Sequence, residues 1–150
     1  MRRAITLSLD NVRSGQGGPF AAVVVRGDEI LAEGTNQVTS TNDPSAHAEM
    51  LAVRAACRKL QYFQLAGCEI YTSCQPCPMC LGLIYWARPD KLYYANTAED
   101  AAAIGFDDAR IYRELQLPPA DRSIPMVQML RDEALAAFRA WQEKPGKIYY

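Results

Sequence analysis

The residues of this chain whose types and spacing predict chemistry are His47, Glu49, Cys77 and Cys80. One histidine and two cysteines three positions apart can hold a zinc ion through three protein ligands, which leaves the fourth tetrahedral position open to water. An open position is the catalytic arrangement, because zinc lowers the pKa of a bound water to about 7. We therefore predict one zinc ion per chain, held by His47, Cys77 and Cys80. Glu49 is then the group that moves protons.

Two other interpretations of the cysteines stay open. Cys74 and Cys77 form a second Cys-x-x-Cys pair, so Cys74 could complete a closed structural site of three cysteines and His47. A Cys-x-x-Cys pair is also typical of redox sites. Local order favours the open site, because Pro78 suits a first helical position and puts Cys77 and Cys80 in one helical turn. The helix dipole favours thiolate there, whereas Cys74 falls at the end of the preceding strand.

The other half of the motif also lies near a predicted helix start. Asp43 and Pro44 are a plausible cap and first residue for a helix over 45–59. In the middle of a helix, residues two apart point about 200° away from each other. His47 and Glu49 can therefore face one metal only from the first turn. The pattern predicts that two helix N-termini meet at the zinc.

The composition is that of an ordinary globular chain. Of its 150 residues, 49% are hydrophobic and 22% charged, which predicts a single domain over 1–150. The net charge of −1 and pI near 5.8 indicate neither a nucleic-acid nor an anionic-membrane surface. The apolar runs are too short to span a bilayer or to form a secretory signal. Five cysteines, three of them clustered, suit a metal site in a reducing compartment, so we expect a cytoplasmic location.

Hydrophobic periodicity and turn residues predict alternating helices and strands. Helices are predicted over 2–13, 45–59, 78–87, 98–104, 108–115 and 131–143, and strands over 20–25, 30–33, 69–72, 92–95 and 125–130. A hairpin followed by helix–strand alternation indicates an α/β fold of three layers, α/β/α. Its mixed five-stranded sheet would carry helices on both faces.

Several segments together carry a family resemblance. They are 17–20, 36, 42–44, 47–49, 71–80, 85–89, 105–108, 124–125 and the terminal Tyr150. The H-x-E and P-C-x-x-C pattern is typical of zinc nucleobase deaminases in general. The Gly-Phe-Asp-Asp segment at 105–108 and the tyrosine-ended tail resemble small bacterial guanine deaminases, which have the cytidine-deaminase-like fold. The first helix is expected to start a few residues short of the family's.

The resemblance implies zinc-dependent hydrolysis of guanine to xanthine and ammonia, in purine catabolism or salvage. Glu49 would act first as base and then as acid. The predicted substrate-binding residues are Asn36, Ala48, Asp108, Tyr150, Phe20 and Trp86. Asn36 can donate and accept at a base edge, Asp108 can accept from a ring N–H, and the Ala48 N–H can donate to the base. Asp107 is the alternative to Asp108. A turn role for Asn36, a helix cap for Asp108 and core packing for the two aromatic residues stay open.

The tail over 144–150 is apolar for a chain end, although a frayed terminus is the ordinary expectation. In the family it resembles, the C-terminal segment covers the active site and can come from the neighbouring subunit. We therefore predict a homodimer in which residues 131–150 are exchanged and Tyr150 closes the guanine pocket. Three rival functions stay open: a tRNA adenosine deaminase, a cytosine or cytidine deaminase, and a non-catalytic module with structural zinc.

Overall fold

The computed structural model describes residues 1–106 and 108–150, in two units, Met1–Asp108 and Ala109–Tyr150. The first unit contains, in order, α1 (Arg2–Arg13), β1 (Ala21–Arg26), β2 (Glu29–Thr35), α2 (Val38–Thr41), α3 (Ala48–Leu60), β3 (Glu69–Cys74), α4 (Pro78–Ala87), β4 (Lys91–Asn96) and α5 (Ala98–Ala103). The second contains α6 (Ala109–Gln116), a 3-10 turn (Pro119–Asp121) and α7 (Arg131–Glu143).

The four strands form one mixed sheet in the order β2-β1-β3-β4. β1 is antiparallel to both of its neighbours, whereas β3 and β4 are parallel and are joined through α4. The α/β class and the mixed sheet are as predicted. The fifth strand predicted over 125–130 is wrong, because this segment has no regular secondary structure. Met126 and Val127 are 57% and 78% exposed. A β-branched or apolar run forms a strand only where a neighbouring strand packs beside it.

The main core lies between the sheet and α3. Its buried residues are Ala22, Val24, Leu31, Ala48, Ala52, Val53, Ala56, Leu65, Cys68, Ile70, Ile84 and Ala87. α3 approaches the sheet closely because β2 has a glycine at position 34. A Cβ on Gly34 would lie 2.3 Å from the Ala48 carbonyl oxygen and 2.7 Å from the Ala52 nitrogen. The first turn of α3 therefore rests on the backbone of β2.

The alternate side chains of β1 are buried as well. Ala21 and Val23 point away from the α3 cluster, since successive strand residues face opposite sides of a sheet. α1 packs against β1 and β3 and buries Ala4 and Asn11. Both faces of β1 are therefore covered.

The third helix starts later than predicted, at Ala48 and not at residue 45. Asp43 forms a turn instead, since its Oδ1 accepts hydrogen bonds from the Ser45 backbone N–H and hydroxyl, both at 2.8 Å. The short helix α2 was not predicted. Among the described residues, no helix has the length and apolarity needed to cross a membrane.

Candidate active site

Two helix N-termini meet at the motif residues, as the spacing predicts. His47 is the N-cap of α3 and Cys77 is the N-cap of α4, both with extended backbone. Their carbonyl oxygens accept the first helical hydrogen bonds, from Leu51 at 3.1 Å and Leu81 at 2.9 Å. Pro78 occupies the start of α4, where a missing N–H costs nothing. Both helices thus point their positive ends at the same place.

His47, Cys77 and Cys80 form a group that can hold a metal ion. The Nδ1 atom of His47 lies 3.6 Å from the Sγ atoms of both cysteines, and the three ligand atoms lie within 4.8 Å of one another. Tetrahedral zinc with Zn–N of about 2.0 Å and Zn–S of about 2.3 Å would set nitrogen and sulfur about 3.5 Å apart. The separation and the donor types therefore fit zinc.

Cys74 is outside this group of ligands. It ends β3 and is buried, but its Sγ donates a hydrogen bond to the Thr97 carbonyl oxygen at 3.4 Å. Among the described residues, the metal-binding group contains the three predicted ligands and not Cys74. The geometry therefore favours the open arrangement over the closed one.

The two ligand cysteines differ in acidity. Hydrogen bonding from Cys80 lowers the pKa of the Cys77 thiol to about 4, and the histidine adds to this effect. The same contact with Cys77 raises the pKa of the Cys80 thiol. The contact between the two sulfurs thus favours ionisation of one thiol and opposes ionisation of the other. A divalent cation compensates the second negative charge and allows both sulfurs to bind as thiolates.

Glu49 lies in the first turn of α3, beside the ligand group. Only 7% of its surface is exposed, and its Oε2 accepts a hydrogen bond from Cys80 Sγ at 3.5 Å. Burial raises the pKa of the Glu49 carboxyl. Such a shift brings a carboxyl group nearer to neutral pH, where it can both accept and return a proton.

A cavity of about 250 Å³ in the first unit opens onto this centre. Its lining residues are Gly18, Phe20, Asn36, Val38, Thr39, His47, Glu49, Cys74, Gln75, Cys77, Ala101, Phe106 and Asp108. The Phe20 and Phe106 rings meet edge to face, with centroids 4.8 Å apart and planes at 89°. The cavity thus combines an aromatic wall with a few directed polar groups, as a site for a flat heterocycle requires.

Asn36 is buried at the cavity wall and hydrogen-bonded to its neighbours. It is 6% exposed, and its Oδ1 accepts from the backbone N–H groups of Gly18 and Val38, each at 3.4 Å. Its own backbone N–H donates to the Phe20 carbonyl oxygen at 3.0 Å. Because two backbone N–H groups donate to the amide oxygen, the NH₂ end of the carboxamide is the part available to a ligand.

The other predicted substrate-binding residues have different positions. Asp108 is partly buried and lines the cavity, whereas Asp107 lies outside the described residues. Ala48 is fully buried between His47 and Glu49 at the start of α3. Trp86 is 58% exposed on α4 and is not a lining residue of this cavity. Tyr150 belongs to the second unit and is 69% exposed.

Phe106, Gln75 and Thr39 line the cavity without having been predicted as site residues. Phe106 belongs to the Gly-Phe-Asp-Asp segment at 105–108. Its position near Asp108, the predicted acceptor for a ring N–H, is the sequence feature that could have identified it. Gln75 gives no such signal, because only the fold brings the end of β3 to the cavity. Its Oε1 accepts from the Ala98 N–H at 3.4 Å, which links this wall to α5.

Comparison with known proteins agrees with the geometry. Residues 1–96 match the model of the cytidine and deoxycytidylate deaminase zinc-binding region. The chain belongs to this family of zinc-binding deaminases.

Within the family, it is similar over its whole length to guanine deaminase from Bacillus subtilis. The two are 51% identical over 150 residues, which is all of this chain and 96% of the relative. The crystal structure of guanine deaminase from that organism superposes with a TM-score of 0.96 and covers 99% of this chain and 95% of its own.

Two further relatives are less similar to the chain, in identity or in the length matched. A structure of guanine deaminase from Nitrosomonas europaea is 33% identical, with a TM-score of 0.67 over 92% of this chain and 80% of that one. The tRNA-specific adenosine deaminase of Aquifex aeolicus is 40% identical over 77 residues, or 51% of each chain.

Proposed function

We propose that this chain is a zinc-dependent enzyme that hydrolyses guanine to xanthine and ammonia. The observation that carries the proposal is the 51% identity to guanine deaminase over the whole chain. The zinc motif alone is common to many deaminases, but this likeness extends through the 54 residues beyond the matched zinc-binding region (150 − 96). The tRNA-specific adenosine deaminases match less of the chain or at lower identity, at 40% over 51% of it for one and 30% over 78% of it for another.

His47, Cys77 and Cys80 are the proposed zinc ligands. When bound, zinc lowers the pKa of a water to about 7, which makes hydroxide available at neutral pH. Two features of the chain support this site: the 3.6 Å ligand separations and the positive helix ends that favour thiolates. A fourth position is left for water because Cys74 lies outside the ligand group.

Glu49 is the proposed proton carrier. As the water oxygen forms a bond to C2 of guanine, the carboxylate takes a water proton and delivers it to a ring nitrogen. The remaining hydroxyl proton then passes through Glu49 to the amino group, the C2–N bond breaks, and ammonia leaves. The carboxylate is regenerated, and its burial in the cavity wall keeps bulk water from competing for the proton.

Asn36 and Asp108 are the proposed recognition residues. A neutral amide donor and a carboxylate acceptor on one cavity suit the carbonyl and N–H groups of guanine. The Ala48 N–H is proposed as a further donor, since it is one of the N–H groups at a helix start that have no acceptor within the helix. Phe20 is proposed to contact the face of the base. The predicted contact of Trp86 with the base has no support from the lining of this cavity.

The chain is proposed to act as a single three-layer domain in a homodimer with exchanged C-terminal segments. Residues 131–150 are the exchanged part, and Tyr150 completes the guanine pocket of the neighbouring subunit. The exposed apolar residues of this segment support an occupant from another chain, since Phe138, Ile148 and Tyr149 are 67–72% exposed. A cytoplasmic location stays a prediction.

Ammonia release from guanine, guanosine, cytosine, cytidine and adenine tests the proposed activity. We expect guanine to be the preferred substrate of the zinc-loaded protein. Preference for cytosine or cytidine would assign it to another deaminase of the family. No release from any substrate, together with zinc held by four protein ligands, would indicate a structural-zinc module. Inosine formation in a tRNA would point to the adenosine deaminases.

A further inference from the structure

Asn11 is a buried polar residue on a helix face that otherwise buries alanine. It lies seven residues after Ala4 on the inward side of α1 and is 5% exposed. Burying an amide without hydrogen bonds is unfavourable, so an asparagine here must have partners. Neither the zinc centre nor the proton transfer uses it.

Its partners lie on two loop segments of the cavity wall, one before β1 and one after β2. The Asn11 Nδ2 donates to the Gly18 carbonyl oxygen at 2.8 Å and to the Asn36 carbonyl oxygen at 2.9 Å. An amide NH₂ has two hydrogens, so both are used. Gly18 and Asn36 both line the cavity, and they also contact each other through the Gly18 N–H and Asn36 Oδ1.

The wall leaves little room for another arrangement. A Cβ on Gly17 would lie 2.0 Å from the Asn36 carbonyl oxygen and 3.2 Å from Asn11 Nδ2. The backbone of the 17–18 segment therefore lies directly against Asn36, and the Asn11 amide joins the two without itself lining the cavity. If these bonds are lost, the buried Asn36 carbonyl oxygen and the partly buried Gly18 carbonyl oxygen each lose a donor.

We propose that Asn11 is a positioning residue for substrate recognition. Its carboxamide fixes the spacing between Gly18 and Asn36, and so sets the direction in which the Asn36 amide meets the bound base. This inference rests on the proposed function. It assigns Asn11 an effect on guanine binding and none on zinc binding or on proton transfer by Glu49.

Asn11→Ala in the full-length, zinc-loaded enzyme is the first test. We expect KM for guanine to rise roughly tenfold, the effect of losing one to two neutral hydrogen bonds, while kcat and zinc content stay near wild type. Asn11→Ser keeps one hydroxyl donor, so its KM for guanine should lie between those of the wild type and Asn11→Ala. The matched control is Ala4→Gly, on the same buried face, which should lower Tm without changing KM.

A double-mutant cycle with Asn36→Ala identifies the route of the effect. If Asn11 acts through Asn36, the double variant should have nearly the kcat/KM of Asn36→Ala alone. Independent, additive losses would overturn the proposal, as would an unchanged KM in Asn11→Ala. Failure of both Asn11 variants to fold would also overturn it, since the residue would then be structural. Failure of the proposed function would appear in the wild-type enzyme, which would not release ammonia from guanine.

Discussion

The two units of the chain differ in how their apolar residues are covered. Met1–Asp108 buries its core between a sheet and helices, and its polar site residues are held by backbone hydrogen bonds. In Ala109–Tyr150, every residue is exposed or only partly covered, including Ile124, Val127 and Met129 at 75–78% exposure. A surface of this kind is typical of an interaction site. The first unit contains the three residues that can hold zinc, whereas the apolar side chains of the second unit are largely exposed.

The sharpest test of this contrast removes a zinc ligand from the first unit. Cys77→Ser and Cys80→Ser should lose both zinc and activity, because a hydroxyl replaces a thiolate in a three-ligand site. Cys74→Ser is the matched control and should keep its zinc. Metal analysis of the purified variants measures this. An equal loss of zinc in Cys74→Ser would support the closed site, with Cys74 as the fourth ligand.

The next test keeps the metal and removes the proton carrier. Glu49→Gln should retain zinc and fold but lose at least roughly 10²-fold in kcat, the lower range for a positioned acid–base group. Gln75→Glu changes charge at another lining residue and serves as a control for the cavity's electrostatics. Near-normal turnover in Glu49→Gln would contradict the proposed proton path.

Deleting residues 145–150 changes only the second unit and tests the predicted role of the tail. We expect a fall in activity on the order of 10²-fold, because the deletion would remove both the proposed contact of Tyr150 with the base and the proposed cover that excludes water. Zinc content should be unchanged, since all proposed ligands belong to the first unit. Full activity in the truncated protein would rule out the predicted role of Tyr150.

Smaller losses are expected at the recognition residues. Asn36→Ala and Asp108→Ala should each lower kcat/KM for guanine by roughly 5- to 150-fold, as expected when a group of the base is left unpaired. Zinc content should again be unchanged. Steady-state kinetics with guanine measures the effect, and loss of zinc in either variant would show that the residue supports the metal centre instead.

The smallest effect concerns the turn that precedes α3. Hydrogen bonds from the Ser45 hydroxyl and backbone lower the pKa of the Asp43 carboxyl. Its stabilising effect is therefore present above the unfolded pKa and is lost as the pH falls through the lower folded pKa. Asp43→Ala should lower Tm slightly near pH 7 and less at acid pH. A Tm difference that grows on acidification would contradict this assignment.

Local sequence patterns predicted the metal centre well. Features that depend on tertiary packing were predicted poorly. Pro78 and the spacing of His47 and Glu49 depend on helix-end geometry, which a few neighbouring residues determine. The start of α4 at Pro78 is as predicted, whereas α3 starts three residues later than predicted, at Ala48. The false strand at 125–130 was predicted from an apolar run with one β-branched residue, Val127, but a strand also needs a pairing partner. Trp86 was assigned to the base from its aromatic character, whereas the direction it faces depends on how α4 packs.

The close approach at Gly34 limits how this enzyme can diversify. The N-terminus of α3, with the proposed ligand His47 and the proton carrier Glu49, packs against β2 through main-chain atoms at Gly34. Glycine already has the smallest side chain, so no substitution at position 34 can relieve this contact. Variation at this contact would move both groups together and damage the chemistry before it altered the substrate. Laboratory evolution toward other bases should therefore accumulate changes at Phe20, Gln75 and Phe106, which line the cavity outside the ligand-bearing helices.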